Sequence, residues 1–220
     1  MRAILIGATG LVGGFLLEQL LQDAAFSKVK LISRRAINIR HTKLEEAIID
    51  FNNDIAFKHA VMEADVLFCC TGTTQQKVKG DKVAYRKIDF DIPVKAAGYC
   101  ADQQVAKFLL VSSVGANATS TNFYLRLKGE TETAVLTKPV NTIYIMRPSM
   151  LLGNRKQSRW GETIAQPIMR ALSGLFFGGL KKYKAIDAKT VASAMVAASK
   201  KTATGQFTWG YQQMVDAANA

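Results

Sequence analysis

Tyr124 and Lys128 stand four residues apart in Tyr124–Leu125–Arg126–Leu127–Lys128. On a helix that spacing puts both side chains on one face. A free phenol, with a pKa of about 10, is a poor base at neutral pH. A neighbouring ammonium favours its ionised form, so the two together read as a general acid/base pair. Ser112 and Ser113 end an apolar run shortly upstream. A hydroxyl at the carboxyl edge of a sheet can hydrogen-bond a substrate carbonyl or alcohol, because ligands of open α/β sheets sit at that edge. A Tyr-x-x-x-Lys spacing arises by chance on many helices. It gains specificity here from the serines before it and from a second motif near the amino terminus.

That motif is Gly7–Ala8–Thr9–Gly10–Leu11–Val12–Gly13, which follows an apolar run and opens a stretch with helical spacing. This is the context in which a glycine-rich turn cradles a dinucleotide pyrophosphate. The first glycine permits the tight turn, the second lets backbone approach the phosphates, and the third allows close packing of helix on strand. The amino-terminal end of the helix offers free N–H groups and a positive dipole to the anion. The next strand ends in Ser33–Arg34–Arg35 with no acid nearby. An acid there would bind the 2′-hydroxyl of NAD, whereas arginine accommodates the 2′-phosphate of NADP. The cofactor expected is therefore NADP(H), ahead of NAD(H).

These groups need a scaffold that brings strand ends together. Apolar runs predict strands at Arg2–Ile6, Lys28–Ser33, Ala47–Phe51, Asp65–Cys70, Ala106–Ser113 and Asn141–Arg147. Helical spacing covers Leu11–Leu21, most of Asp81–Asp102 with Pro93 as a kink or fresh start, and Asn122–Lys138. Ala188–Lys200 and Trp209–Ala218 read as closing helices, and Thr71–Gly80 as a polar loop. Strands alternating with helices imply βαβ units. The expectation is one α/β domain over residues 1–220: a Rossmann-type, doubly wound, mostly parallel sheet of six or seven strands with helices on both faces. Within it, 150–184 is basic and partly aromatic. It reads as a small C-terminal substrate-covering segment, though Trp160, Phe176 and Phe177 suit a core as well.

Composition narrows the class. Hydrophobic residues make up 49% and charged residues 21% of 220, which suits a packed core and argues against disorder. The net charge is +12, but the basic residues are scattered. They read as a solvated surface and an anion site rather than a nucleic-acid interface. No apolar stretch of about 18 residues is present to span a membrane, and there is no secretory pattern. Cys69, Cys70 and Cys100 show neither disulfide nor metal-site spacing and read as small buried groups in a reducing, cytoplasmic setting. His41 and His59 read as surface residues, and no metal site is visible. Arg147 ends the sixth predicted strand, where it either faces the nicotinamide half of the cofactor or pairs with a nearby acid.

GATGLVGG, LLVSSVGAN, FYLRLKGETE and RPSMLLG resemble an atypical or extended short-chain dehydrogenase. The resemblance is greatest to the Tat-interacting-protein type, which DFNN near Asp50, CCTGTT near Cys70 and SRWGE near Trp160 also fit, and it spans the whole chain. It implies that Asp50 and Phe51 sit by the adenine and that Thr71, Gly72 and Thr73 line the nicotinamide ribose. It implies Tyr124 as proton donor or acceptor and Lys128 on the ribose, tuning Tyr124. Ser113 matches the catalytic serine, with Ser112 as the fallback, although the serine-to-tyrosine separation is slightly short. The function implied is NADP(H)-dependent hydride transfer to or from a small carbonyl or alcohol substrate. A cofactor-binding regulator with vestigial turnover and a protein partner is the rival reading. A sugar-nucleotide epimerase is the third, disfavoured by the absence of a long C-terminal region. Either a monomer or a homodimer is compatible.

Overall fold

Apolar residues at nearly every position of Arg2–Ile6 make a strand that can be buried on both faces, and it becomes an interior strand of the sheet. In a computed structural model describing residues 1–153 and 183–220, this strand, β1, is followed by α1 (Leu11–Gln22), β2 (Lys28–Ser33), β3 (Leu44–Ile48) and α2 (Asp54–Ala60). Next come β4 (Val66–Cys69), α3 (Lys82–Arg86), a π-helical turn (Lys87–Asp91), α4 (Ile92–Asp102), β5 (Lys107–Val111), α5 (Phe123–Leu136) and β6 (Thr142–Met146). Two-residue strands β7 (Leu151–Leu152) and β8 (Ile186–Asp187) pair with each other. The chain then runs through α6 (Ala188–Lys200), β9 (Gly205–Trp209) and α7 (Tyr211–Ala218).

The main sheet has seven strands, all parallel, in the order β3-β2-β1-β4-β5-β6-β9. Strand side chains alternate between two cores. Ala3 and Leu5 join the layer packed with α1, α6 and α7, while Ile4 and Ile6 join the layer packed with α2, α4 and α5. β1 pairs with β2 on one side and β4 on the other. The strand order reverses there, so the connections leave β1 and β4 in opposite directions and open a crevice at their carboxyl ends. The α/β, doubly wound, mostly parallel fold expected from the sequence is the fold of this chain.

Two expectations are corrected. The third strand is Leu44–Ile48, not Ala47–Phe51. It is an edge strand that exposes Glu45 and Glu46, so it lacks the continuous apolar signal of a buried strand. A seventh strand, Gly205–Trp209, pairs with β6 at the other edge, and Trp209 ends that strand instead of opening a helix. Its alternating half-buried and exposed positions leave only a weak apolar run. Of the two readings of Pro93, the fresh start is the one seen: it lies in the first turn of α4, directly after the π-helical turn. Of the proposed covering segment, only 150–153 and 183–184 fall among the described residues, and Trp160, Phe176 and Phe177 lie outside them.

Candidate cofactor and active site

The glycine turn joins β1 to α1 at the strand-order reversal. Gly7 has φ +91°, and a Cβ there would lie 2.5 Å from the carbonyl oxygen of Cys70 at the end of β4. A Cβ on Gly13 would lie 2.2 Å from the carbonyl oxygen of Gly7. No side chain fits at either position, so turn, helix and neighbouring strand are locked at contact distance. The Gly10 N–H donates to the Gly7 carbonyl at 2.9 Å, which closes the turn over Ala8 and Thr9. Leu11 and Val12 begin α1, and its first turn carries no acid to repel an anion.

β2 delivers Arg34 and Arg35, both exposed. Among the described residues neither guanidinium has a hydrogen-bond or ion-pair partner, although Ser33 Oγ donates to the Arg35 carbonyl at 2.7 Å and shapes the bend. Asp50 follows β3 but is turned onto its own loop, where Oδ1 accepts from the Asn52 backbone N–H at 2.9 Å and from its side-chain amide at 2.8 Å. Phe51 packs edge-on against Phe57 with ring centroids 4.9 Å apart.

The loop after β4 is tied down at Thr73. Its N–H donates to Asp89 Oδ2 at 2.9 Å, and its carbonyl accepts the Tyr85 hydroxyl at 2.9 Å. Thr71 Oγ1 lies 3.4 Å from Cys69 Sγ, and Gly72 separates these two anchors. Asp89 is fully buried in the π-helical turn, and that turn has a cause. Pro93 has no N–H to donate to the carbonyl four residues back, which belongs to Asp89. The Ile92 N–H reaches Lys87 instead, a five-residue bond, and the Thr131 hydroxyl of α5 is shared between the Asp89 carbonyl at 3.0 Å and the Leu127 carbonyl at 2.8 Å.

On α5, Tyr124 is half-buried in the first turn and Lys128 is 4% exposed. Lys128 Nζ lies 2.8 Å from Asp89 Oδ1. Burial acts against the Lys128 ammonium, but the Asp89 carboxylate, by its charge and its hydrogen bond, outweighs it and raises the Lys128 pKa. One turn further along, Glu132 is also buried. It accepts a short hydrogen bond from Ser112 Oγ and a bidentate contact from Arg147, whose Nε lies 3.1 Å from both carboxylate oxygens. Hydrogen bonding to Glu132 pushes the Arg147 pKa up against the desolvation it suffers. Of the two readings of Arg147, the nearby acid is the one seen. Ser112 is thus buried and committed, whereas Ser113 is half-buried and donates only to the Val114 carbonyl, at 3.3 Å.

The structure therefore gathers the glycine turn, Thr71–Thr73, Ser113, Tyr124 and Lys128 at the carboxyl ends of β1, β4 and β5, with the two arginines beyond β2. Sequence reasoning missed Asp89 and Glu132. Glu132 carried a signal, since it continues the four-residue spacing of Tyr124 and Lys128. Asp89 carried only a faint one, an acid four residues before a proline. Among the described residues no group of three metal-ligating side chains occurs, and no helix is long and apolar enough to cross a membrane. An open hollow of about 620 Å³ beside β3 and α2, lined in part by Ile48, Ile55 and His59, contains none of these residues.

Residues 7–202 match the NAD(P)H-binding family model. The chain belongs to the NAD(P)H-binding family. The rat protein HTATIP2 is 32% identical over 195 residues, covering 87% of this chain and 78% of its own length. FMP52 of Candida albicans is 32% identical over 212 residues, covering 94% and 91%. The resemblance to the Tat-interacting-protein type therefore stands. A UDP-glucuronic acid 4-epimerase from Bacillus cereus, solved with UDP-glucuronic acid and NAD, shares the fold with a TM-score of 0.71. It is 17% identical, covering 96% of this chain and 77% of its own. The expected cytoplasmic location is corrected. FMP52 relatives at 31–37% identity are named mitochondrial, and burial of free thiols reflects packing, not compartment. The turn around Gly7 and Gly13, tight against backbone and free of acids, fits the dinucleotide this NAD(P)H-binding family takes.

Proposed function

We propose that this chain is an NADP(H)-dependent oxidoreductase of the short-chain dehydrogenase type, acting on a small carbonyl or alcohol within a single domain. The observation that carries the reading is Lys128, a buried ammonium one helical turn from Tyr124, on a helix that faces the strand-order reversal beside the glycine turn. In this reading Gly7–Gly13 holds the pyrophosphate on the α1 amino terminus. Arg34 and Arg35 take the 2′-phosphate, and Asp50 and Phe51 flank the adenine. Thr71, Gly72, Thr73 and Lys128 take the nicotinamide ribose, with Arg147, held by Glu132, shaping the floor below.

The bound nicotinamide supplies hydride exchange with the substrate carbon. The chain's own residues do the rest. Ser113 Oγ donates a hydrogen bond to the substrate oxygen and fixes its distance from Tyr124. Tyr124 Oη gives or takes the proton at that oxygen, and Lys128 holds the phenol and ribose in line. Ser112 supports Glu132 and stays out of the chemistry.

The test is a screen of aldehydes, ketones and quinones for NADPH consumption, with the Tyr124→Phe protein as control. Turnover that falls by about 10²–10⁴-fold in the variant supports the reading. Full activity in Tyr124→Phe, or tight NADPH binding with no turnover across the panel, overturns it.

A further inference from the structure

Lys128 is not a lone cation beside a phenol. Its Nζ lies 2.8 Å from Asp89 Oδ1, both groups are buried, and Asp89 is also held by the Thr73 N–H at 2.9 Å. The backbone around Asp89 is fixed independently: Pro93 imposes the π-helical turn, and Thr131 satisfies the carbonyl that this leaves open. Two elements and one loop converge to keep a carboxylate against this ammonium.

Three titratable groups face Lys128: Asp89 from the π-helical turn, Cys69 from β4 and Tyr124 from α5 itself. Tyr85 of α3 faces Asp89 and Tyr124. Burial drives the Cys69 thiol and the Tyr85 hydroxyl upward, so both are neutral near pH 7. The charges in the cluster are then one ammonium and one carboxylate at contact. A contact pair of opposite charges has a much weaker field at a third group than a bare cation has.

We infer that Asp89 is a positioning residue that fixes Lys128 and offsets its charge at Tyr124, so that Tyr124 rests as a phenol, set to donate a proton rather than to accept one. The inference rests on the oxidoreductase reading and gives it a direction. In carbonyl reduction the Tyr124 Oη–H bond breaks and its proton goes to the oxygen of a carbonyl that receives hydride from reduced nicotinamide. Solvent then returns a proton to the phenolate. The same carboxylate, through Thr73, ties the loop after β4 to this lysine.

The test needs no substrate. Phenolate absorbance is followed against pH in the intact, cofactor-free protein, and the Tyr124→Phe curve is subtracted to isolate one phenol. The inference expects Tyr124 to be protonated at pH 7 in the unsubstituted protein. Asp89→Asn, which keeps an acceptor for the Thr73 N–H but removes the charge, should move that titration to lower pH by about one unit or more. Asp89→Asn with Lys128→Met should cancel the downward move, because the unmasked cation is then absent. A Tyr124 already ionised at pH 7 overturns the inference, as does an Asp89→Asn curve that coincides with the parent. If Asp89→Asn does not fold, the parent titration and the double variant decide. Loss of the reductase reading would appear separately, as an inactive enzyme whose phenol still titrates as expected.

Discussion

Ser112 and Ser113 are one peptide apart and differ in what their hydroxyls already hold. Ser112 Oγ donates to a buried carboxylate that also binds Arg147, and it has no freedom to turn toward a substrate. Ser113 Oγ has only a long bond to the Val114 carbonyl. The two alanine variants should therefore separate. Ser112→Ala removes a charge-assisted bond from Glu132 and should lower stability by about 1–3 kcal/mol in urea unfolding. Ser113→Ala should leave stability within about 0.5 kcal/mol, while turnover falls with little change in NADPH affinity. The reverse pattern would assign the substrate contact to Ser112. Lys128 belongs to the same scale. Asp89→Ala leaves a buried ammonium unpaired and should cost about 3–5 kcal/mol. That loss follows the sign of the shift. The Lys128 pKa is raised by the fold, so its contribution is full below the unfolded value of about 10.4 and fades as pH climbs through the folded value.

At the scale of elements, the π-helical turn shows how one missing N–H is absorbed. Pro93 removes a helical bond, the helix widens by one residue, and a threonine on the neighbouring helix supplies the absent donor. Thr131→Val keeps the shape and deletes the hydroxyl. It should cost about 1–3 kcal/mol and loosen the Asp89–Lys128 pair, which would be read as faster amide exchange at Thr73. Unchanged exchange there would show that Pro93 alone sets the turn. This turn also marks where the sequence stopped being readable. The strand Lys28–Ser33 and the glycine turn were legible because each is a local pattern: apolar residues bounded by charge, and glycines at a fixed spacing. The edge strands β3 and β9 were misplaced or missed because an edge needs only half its residues apolar. Tyr124 and Lys128 were legible through helical spacing. Asp89 was not, since its role depends on contacts with residues 16 and 39 positions away, Thr73 and Lys128, and spacing along the chain does not encode these.

Across the whole molecule, buried groups and surface charge act in different directions. Cys69, Cys70 and Cys100 are free thiols, and burial pushes all three upward. Burial also pushes the Tyr99 phenol up, to about 12. A group whose pKa is raised on folding stabilises the protein fully below its unfolded value, about 8.5 for a thiol, and loses that contribution as pH rises. Stability should therefore fall above about pH 8.5, by up to about 1.4 kcal/mol per pH unit for each thiol titrating only in the unfolded chain. Urea midpoints between neutral and mildly alkaline pH test this, and a protein with all three cysteines replaced by alanine should show a flatter decline.

Surface charge bears on cofactor choice. The chain carries +12 overall, and the loop after β2 holds Arg34, Arg35, Arg40 and Lys43 with no acid among residues 34–43. A 2′-phosphate brought to the end of β2 would meet two guanidiniums that have no other partner among the described residues. Each charge-assisted contact should strengthen binding roughly tenfold to a hundredfold. Replacing Arg34 and Arg35 together by alanine should therefore weaken NADPH far more than NADH, whose free 2′-hydroxyl offers these cations no phosphate. Salt provides an independent check on the same contact. At physiological ionic strength screening sets in over about 8 Å, so NADPH affinity should fall with added salt more steeply than NADH affinity, and the double variant should lose that difference. Equal losses for the two cofactors, with equal salt slopes before and after substitution, would mean that Arg34 and Arg35 only solvate this edge and that selection between the dinucleotides is made elsewhere.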